Sequence, residues 1–411
     1  MTSGTLPPSS EAAGRATSPA PAAARAALAL LRHLQAGTLT VRTPDGATHQ
    51  SVGSSQPDLH AMLDVHDWST FSATLRAGDI GFAETFMAGA WTTPQLADLL
   101  RLILANREVI EKAIYGSWWG SLLHRVQHAL HRNTRSGSRR NIQAHYDLGN
   151  DFYVLWLDAT MTYSSAWFDG DRTRPLEPAQ AAKLQRAIGA TGVRPGQRLL
   201  EIGCGWGAVA EAAAREGIEV VGVTLSKEQL AWAQARLVRA GVAEHADLRL
   251  QDYRDVPDGP FDAIVSVEMF EAVGREYWGT YFQAVQHQLK PGGKACIQAI
   301  VIRDDLFERY ARSTDFIQRY VFPGGMLPSA ALFEQHARAA GLRVVERFAF
   351  GLDYAETLRR WRHAFLARLD EVRAQGFDER FVRLWEFYLA YCEAAFDAGN
   401  TDVIQFTLQR D

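Results

Sequence analysis

The residues best placed to do chemistry begin with a glycine string, Glu201-Ile-Gly203-Cys-Gly205-Trp-Gly207, between an apolar run, RLLEIG, and a helical pattern through AVAEAAAREG. Glycines there let the backbone turn sharply and come close to a bound molecule. A dinucleotide site would need GxGxxG and an acidic residue ending the second strand to take the ribose. Here the spacing is GxGxG and the second strand ends Val223-Thr224-Leu225-Ser226, which turns the reading away from a dinucleotide. A tight structural turn is the competing explanation. Cys204 sits inside the loop with no base near it in sequence and reads as a small packing residue. A second string, residues 121–140, carries Arg125, Arg132, Arg135, Arg139 and Arg140 with no Asp, Glu or Lys, a local charge of +5. It reads either as a solvated linker or as a patch for an anionic membrane surface, where each basic side chain contributes about 1 kcal/mol.

The elements that must position these groups follow from pattern. From about Gly192, short apolar strands (RLLEIG, IEVVGVTLS, DLRLQD, FDAIVSVEMF, KACIQAIVI) alternate with helical stretches. That order predicts an α/β domain with a central, mostly parallel sheet covered on both faces, its ligand at the carboxyl ends of the strands. Upstream, Leu28, Leu31 and Leu34 have helical spacing that ends at Gly37, and LTVRTPDGATHQSV alternates around a Pro-Asp-Gly turn as a hairpin does. Residues 1–24 hold four prolines and little to bury and are expected to be a disordered tail. The resulting division is tail 1–24, a small α+β unit 25–110, a basic helical linker 111–140 and a catalytic domain 141–411.

Composition narrows the partners. In 411 residues, 43 basic and 47 acidic side chains give a net charge of −4, too weak a field for a nucleic-acid binder. Three scattered cysteines form neither a disulfide framework nor a zinc cluster, so no metal is expected and a reducing, cytoplasmic setting is. No apolar run approaches the roughly 18 residues of a spanning helix, and the first residues lack the order of a signal peptide. Membrane contact would be peripheral.

Longer strings make the reading specific. Gln143-Ala-His-Tyr-Asp-Leu-Gly-Asn-Asp-Phe-Tyr153, Met161-Thr-Tyr-Ser-Ser-Ala-Trp-Phe168, Gly222-Val-Thr-Leu-Ser-Lys-Glu-Gln229, Gln251-Asp-Tyr-Arg-Asp255, Ser266-Val-Glu-Met-Phe-Glu-Ala-Val-Gly274 and Tyr320-Val-Phe-Pro-Gly-Gly-Met-Leu-Pro-Ser329 flank the GxGxG loop. In this order they resemble the cyclopropane-fatty-acyl-phospholipid synthase family, S-adenosylmethionine-dependent enzymes of the Rossmann-like class I methyltransferase fold. Gly78 to Trp91 resembles the small lipid-binding-type domain preceding the catalytic domain in its longer members. The resemblance implies attack by the double bond of an unsaturated acyl group on the sulfonium methyl, leaving a carbocation that loses a proton. It implies that Tyr163 and Ser164 close over the cofactor, and that Leu199 to Gly207, with Glu201, Gly203 and Gly205, cradles its amino-acid end. Thr224 and Gln229 would hold the ribose, while Asp252 and Tyr253 would flank the adenine. The aromatics Tyr146, Phe152, Trp167, Phe168, Phe270, Tyr277 and Phe282 would wall the acyl pocket, against plain core packing as the alternative. Partners implied are an unsaturated membrane phospholipid and a second copy in a homodimer, at the inner membrane face.

The sequence departs from the family where its members hold a bicarbonate ion with a cysteine, a glutamate, a histidine, a backbone amide and a tyrosine. Glu271 and Tyr354 match, and Ile300 stands at the amide position. Ser165 replaces the cysteine, Gln298 the histidine, and Ala272 the histidine that usually follows the glutamate. Glutamine brings no positive charge to an anion, which puts bicarbonate in doubt. Glu271 or Tyr354 with a water is then the expected proton acceptor. The product is open between a cyclopropane and a methylene- or methyl-branched chain, including furan precursors. The rival readings are a non-catalytic lipid-binding protein and a methyltransferase of a soluble small molecule.

Overall fold

The computed structural model describes residues 20–114 and 148–411. The arginine string and Tyr146 lie outside the described residues, as does most of the expected tail.

The N-terminal unit opens with helix Ala22–Leu31, and the protein has already entered strand β1 (Ala36–Arg42) at Gly37, so the helix is shorter than the leucine spacing suggests. Leu34, which completes the spacing, is buried beyond the helix end. β1 pairs antiparallel with β2 (Thr48–Val52) through the expected hairpin and parallel with β3 (Ser55–Val65). β4 (Trp91–Thr92) adds a short edge. Helix Leu96–Ala105 packs on β1 and β3, while helix Ser69–Met87 meets β4 and bends at Gly78, whose φ of 59° suits a residue without Cβ.

The larger part is a seven-stranded sheet in the order β10-β11-β9-β8-β5-β6-β7. β5 (Arg198–Ile202), β6 (Glu219–Thr224), β7 (Ala246–Leu250), β8 (Phe261–Val267) and β9 (Leu289–Ile302) run parallel; β11 (Thr401–Arg410) lies antiparallel between β9 and β10 (Leu342–Ala349). The central strands bury both faces, which is why they read as continuous apolar runs rather than alternating ones. The order reverses between β8, β5 and β6, the place where open α/β sheets take their ligands.

The N-terminal unit shares one apolar core with helices Gly351–Leu366 and Glu379–Asp397. Phe82 and Phe86 meet the ring of Phe387 at 6.4 and 5.7 Å. Beside them the fully buried Glu393 receives Arg101 from the N-terminal unit and Arg359 and Arg362 from the catalytic part.

Candidate active site

A cavity opens beyond the carboxyl ends of β5, β6 and β8. β5 carries Glu201 to its wall, followed by the Gly203–Gly205 turn; β6 ends in Thr224; Ser164 and Lys183 close another side. Gly205 has φ 50° and nothing stands within 4 Å of where a Cβ would be, so this turn presents bare backbone to open space. Glu201 is almost fully buried, and its Oε2 has no partner. Burial pushes its carboxyl well above the ordinary range, opposed by a hydrogen bond that the Ala210 backbone N–H donates to it. An orphaned buried acceptor beside a bare-backbone turn fits the ammonium end of S-adenosylmethionine. Thr224 Oγ1 donates to Gln229 Oε1 at 3.2 Å, and Ser226 caps the helix that brings Gln229 in. Tyr253 also lines the cavity, packed edge-on against Tyr281.

Three expected cofactor residues serve elsewhere or are already engaged. Leu199 shares a face of β5 with Glu201 but stands two residues back from the carboxyl end of the strand, so it packs in the core with Val209 and Ala213 while Glu201 reaches the cavity. Gly207 has φ 83°, and a Cβ there would stand 2.9 Å from that of Ala233, so it allows close helix packing. Asp252 lines the cavity, but Arg254 grips both its carboxylate oxygens, at 2.8 and 2.5 Å. Cys204 is a packing residue: buried against the sheet, with its thiol pushed far above the ordinary range by desolvation.

Behind the cavity lies a second cluster, organised by a residue that sequence reading alone does not single out. Glu268, just past β8, lines the cavity and accepts three hydrogen bonds. Ser165 N–H donates at 2.9 Å and Gln298 Nε2 at 2.7 Å to Oε1; Tyr354 O–H donates at 2.6 Å to Oε2. Its φ is 47°, a left-handed conformation that costs a non-glycine residue roughly 1 kcal/mol or more and persists where the surroundings enforce it. The Ser165 hydroxyl is turned away and donates to the Ala166 carbonyl, so this residue reaches the cluster through its backbone. Glu271 accepts the Ile300 N–H through Oε1, while its buried Oε2 has no partner.

The two carboxyls are unequal for a physical reason. Desolvation raises both. Glu268 stays raised by burial although Lys183 and its three donors oppose the shift, whereas Glu271 has only backbone amides, of Ile300 and its own, against burial and the repulsion of Glu268, and is pushed up to about 8. Of the two, Glu268 is the one whose surroundings favour a negative charge, because Lys183 and all three donors act on it. Glu271, expected to accept the proton, has a carboxyl pushed up to about 8 with one oxygen unpartnered. The donors assigned to bicarbonate are all taken, those of Ser165, Gln298 and Tyr354 by Glu268 and that of Ile300 by Glu271. These residues do not fit a further anion.

The aromatic expectations divide. Phe270 and Phe282 pack beneath the sheet with Phe333, Phe168 is fully buried in a small separate cluster, and Trp167 meets Phe348. Phe152 is wholly buried, and Tyr277 only borders the core. None of these lines the cavity. The rings adjoining it gather around Tyr163: Tyr153, Trp156 and Trp361 within 5.5 Å, and Tyr388, whose hydroxyl is 2.7 Å from that of Tyr163. Trp361 and Tyr388 lie far downstream in sequence, with no local motif to mark them.

Residues 133–406 match the profile of the mycolic acid cyclopropane synthetase family. The protein belongs to that family. Its relatives include the tuberculostearic acid methyltransferase UfaA1 of Mycobacterium tuberculosis, 41% identical over 82% of this chain and 80% of that protein. The cyclopropane-fatty-acyl-phospholipid synthase of Escherichia coli is 37% identical over 87% of this chain and 89% of its own length. Among solved structures, the cyclopropane synthase MmaA2 of M. tuberculosis superposes with a TM-score of 0.62 at 33% identity, over 66% of this chain and 98% of that one. The mycolic acid cyclopropane synthase CmaA1 complexed with SAH and CTAB gives 0.62 at 35%, with the same coverage. As a member of the family, the protein is an S-adenosylmethionine-dependent methyltransferase that forms cyclopropanes or methyl branches on unsaturated fatty acyl chains. No helix among the described residues is long and apolar enough to cross a membrane.

Proposed function

We propose that this enzyme methylates the double bond of a cis-unsaturated acyl group borne by a membrane phospholipid, giving a methylene-branched product, with Glu268 as the proton acceptor. The observation that carries this is the Glu268 carboxyl group, which accepts hydrogen bonds from Ser165 N, Gln298 and Tyr354 on the wall of the cofactor cavity. S-Adenosylmethionine, when bound, supplies an electrophilic methyl group whose bond to sulfur breaks as the alkene π pair bonds to carbon, so positive charge passes to the acyl group. Glu201, Ser164, Thr224 and Gln229 would hold it, and the Tyr163–Trp361 ring cluster would exclude water that would quench the cation. Glu268 takes the proton that the cation must lose. If a hydride first migrates from the methylated carbon to the cationic carbon, loss of a methyl proton leaves a methylene branch on the open chain; if the methyl carbon loses its proton as it closes on the cation, the product is a cyclopropane. The branched product is favoured by Ser165, Gln298 and Glu268 at the synthases' anion site and by the relation to a methyltransferase of tuberculostearic acid. The phospholipid carrier and peripheral docking are supported by the +5 string at 121–140 and by the synthase relative that matches most of the sequence.

The test is incubation with S-adenosylmethionine and vesicles of cis-monounsaturated phospholipid, with mass analysis of the acyl groups before and after hydrogenation. A gain of one CH₂ that then takes up hydrogen is expected. A gain inert to mild hydrogenation replaces the branch with a ring, and no gain on any unsaturated phospholipid removes the substrate assignment.

A further inference from the structure

Lys183 is a buried cation whose part so far is only to favour the charge on Glu268, yet its ammonium is bonded on the cofactor side of the cavity. It sits on helix Leu176–Thr191 with no exposed surface, lines the cofactor cavity, and donates from Nζ to Ser164 Oγ at 2.5 Å. Burial pushes its ammonium down to about 8, and the attraction of Glu268, Asp158 and Glu201 offsets part of that shift. One turn earlier, Gln180 Nε2 donates to the carbonyls of Thr162 and Ser164 at 3.3 and 2.8 Å, so the same helix face fixes both the backbone and the side chain of this segment.

The Lys183 bond has a directional consequence. An ammonium can only donate, so Ser164 Oγ accepts, and the hydroxyl's own proton must point elsewhere. That proton meets no acceptor among the described residues, and Ser164 lines the cavity. On another part of the same wall, Glu201 Oε2 is an acceptor without a partner. A donor backed by a cation and an unpaired carboxylate oxygen are complementary to a zwitterionic amino-acid group.

We propose that Lys183 is a positioning residue for the cofactor, fixing the Ser164 hydroxyl as a donor to the carboxylate of its amino-acid end and supplying the balancing positive charge. This depends on the cofactor and not on the acyl substrate, so it stands or falls separately from the proposed reaction.

The experiment is calorimetric titration of the full-length protein with S-adenosylhomocysteine and with 5′-methylthioadenosine, which keeps the adenosine and sulfur but lacks the amino-acid end. Lys183→Met is expected to weaken S-adenosylhomocysteine by about tenfold or more, the scale of a lost charge-assisted hydrogen bond, and to leave methylthioadenosine within about twofold. Ser164→Ala should show the same selective loss, and the double variant little more than the larger single one. Equal losses for both ligands would make Lys183 a structural strut and overturn the proposal, as would unchanged affinities or additive losses. If Lys183→Met does not fold, Ser164→Ala decides: undiminished preference for S-adenosylhomocysteine over methylthioadenosine overturns the assignment.

Discussion

The phenol of Tyr354, on helix Gly351–Leu366, donates to Glu268 Oε2 at 2.6 Å, across 86 residues of sequence. Together with Ser165 N and Gln298 Nε2, it gives a carboxylate of the protein itself the donors that the family resemblance would give to a bound bicarbonate. Glu268→Gln preserves the shape and removes the charge. Turnover should fall by about 10² or more, the usual contribution of a positioned base, while S-adenosylhomocysteine binding persists. The wild-type rate should be the same in bicarbonate-depleted and bicarbonate-supplemented buffer. A rate that rises with added bicarbonate, or a Glu268→Gln variant of normal activity, would return the base to an external ion.

Removing Tyr354's hydroxyl tests the same carboxylate from its other side. That bond lowers the Glu268 pKa, so Tyr354→Phe must raise it. The acid limb of the kcat profile should move to higher pH, and kcat at neutral pH should drop roughly tenfold or more, the scale of one hydrogen bond to a charged group. An unmoved acid limb would separate Tyr354 from the titrating base.

Part of this site is legible in the sequence and part is not. The glycine turn, Thr224, Gln229 and the sheet order follow from local pattern, because loop chemistry and strand periodicity are written within a few residues. Glu268 stands in the string Ser266-Val-Glu-Met-Phe-Glu271 in plain view, yet matching the family selects Glu271. What sets the two glutamates apart is the positive φ of Glu268 and donors from residues 165, 298 and 354, none of which sequence spacing reveals. Leu199 fails for the opposite reason: the motif range includes it whole, although only the carboxyl end of β5, from Glu201 on, reaches the cavity and Leu199 lies further back in the core.

Glu271 predicts an unusual pH dependence of stability. Its carboxyl is raised from about 4.5 to about 8 in the folded protein, so between those values the folded state holds a proton that the unfolded state has lost. The stability that Glu271 contributes is present below pH 4.5 and declines as pH rises to about 8, by up to roughly 5 kcal/mol at full linkage. Glu271→Gln keeps an acceptor for Ile300 N–H and cannot ionise. It should therefore be more stable than wild type at pH 8, with the difference shrinking towards pH 5. Denaturant unfolding at the two pH values checks this; a gain that does not change with pH would mean Glu271 is charged in the folded state.

The contact between the N-terminal unit and the catalytic part rests on the fully buried Glu393, which receives Arg101, Arg359 and Arg362. Its carboxylate offsets three guanidiniums, with Asp397 sharing Arg101 and Arg359. Removing one partner of a buried ionic group leaves the others uncompensated, at a cost of about 3–5 kcal/mol. Glu393→Gln should accordingly lower the unfolding midpoint and make the N-terminal unit more open to limited proteolysis, because Arg101 is one of that unit's charged ties to the catalytic part, beside the Glu84–Arg319 pair. Arg101→Met should have a milder effect, since Arg359 and Arg362 still neutralise Glu393. Equal losses in the two variants would mean that Arg101 alone, and not the shared carboxylate, holds the interface.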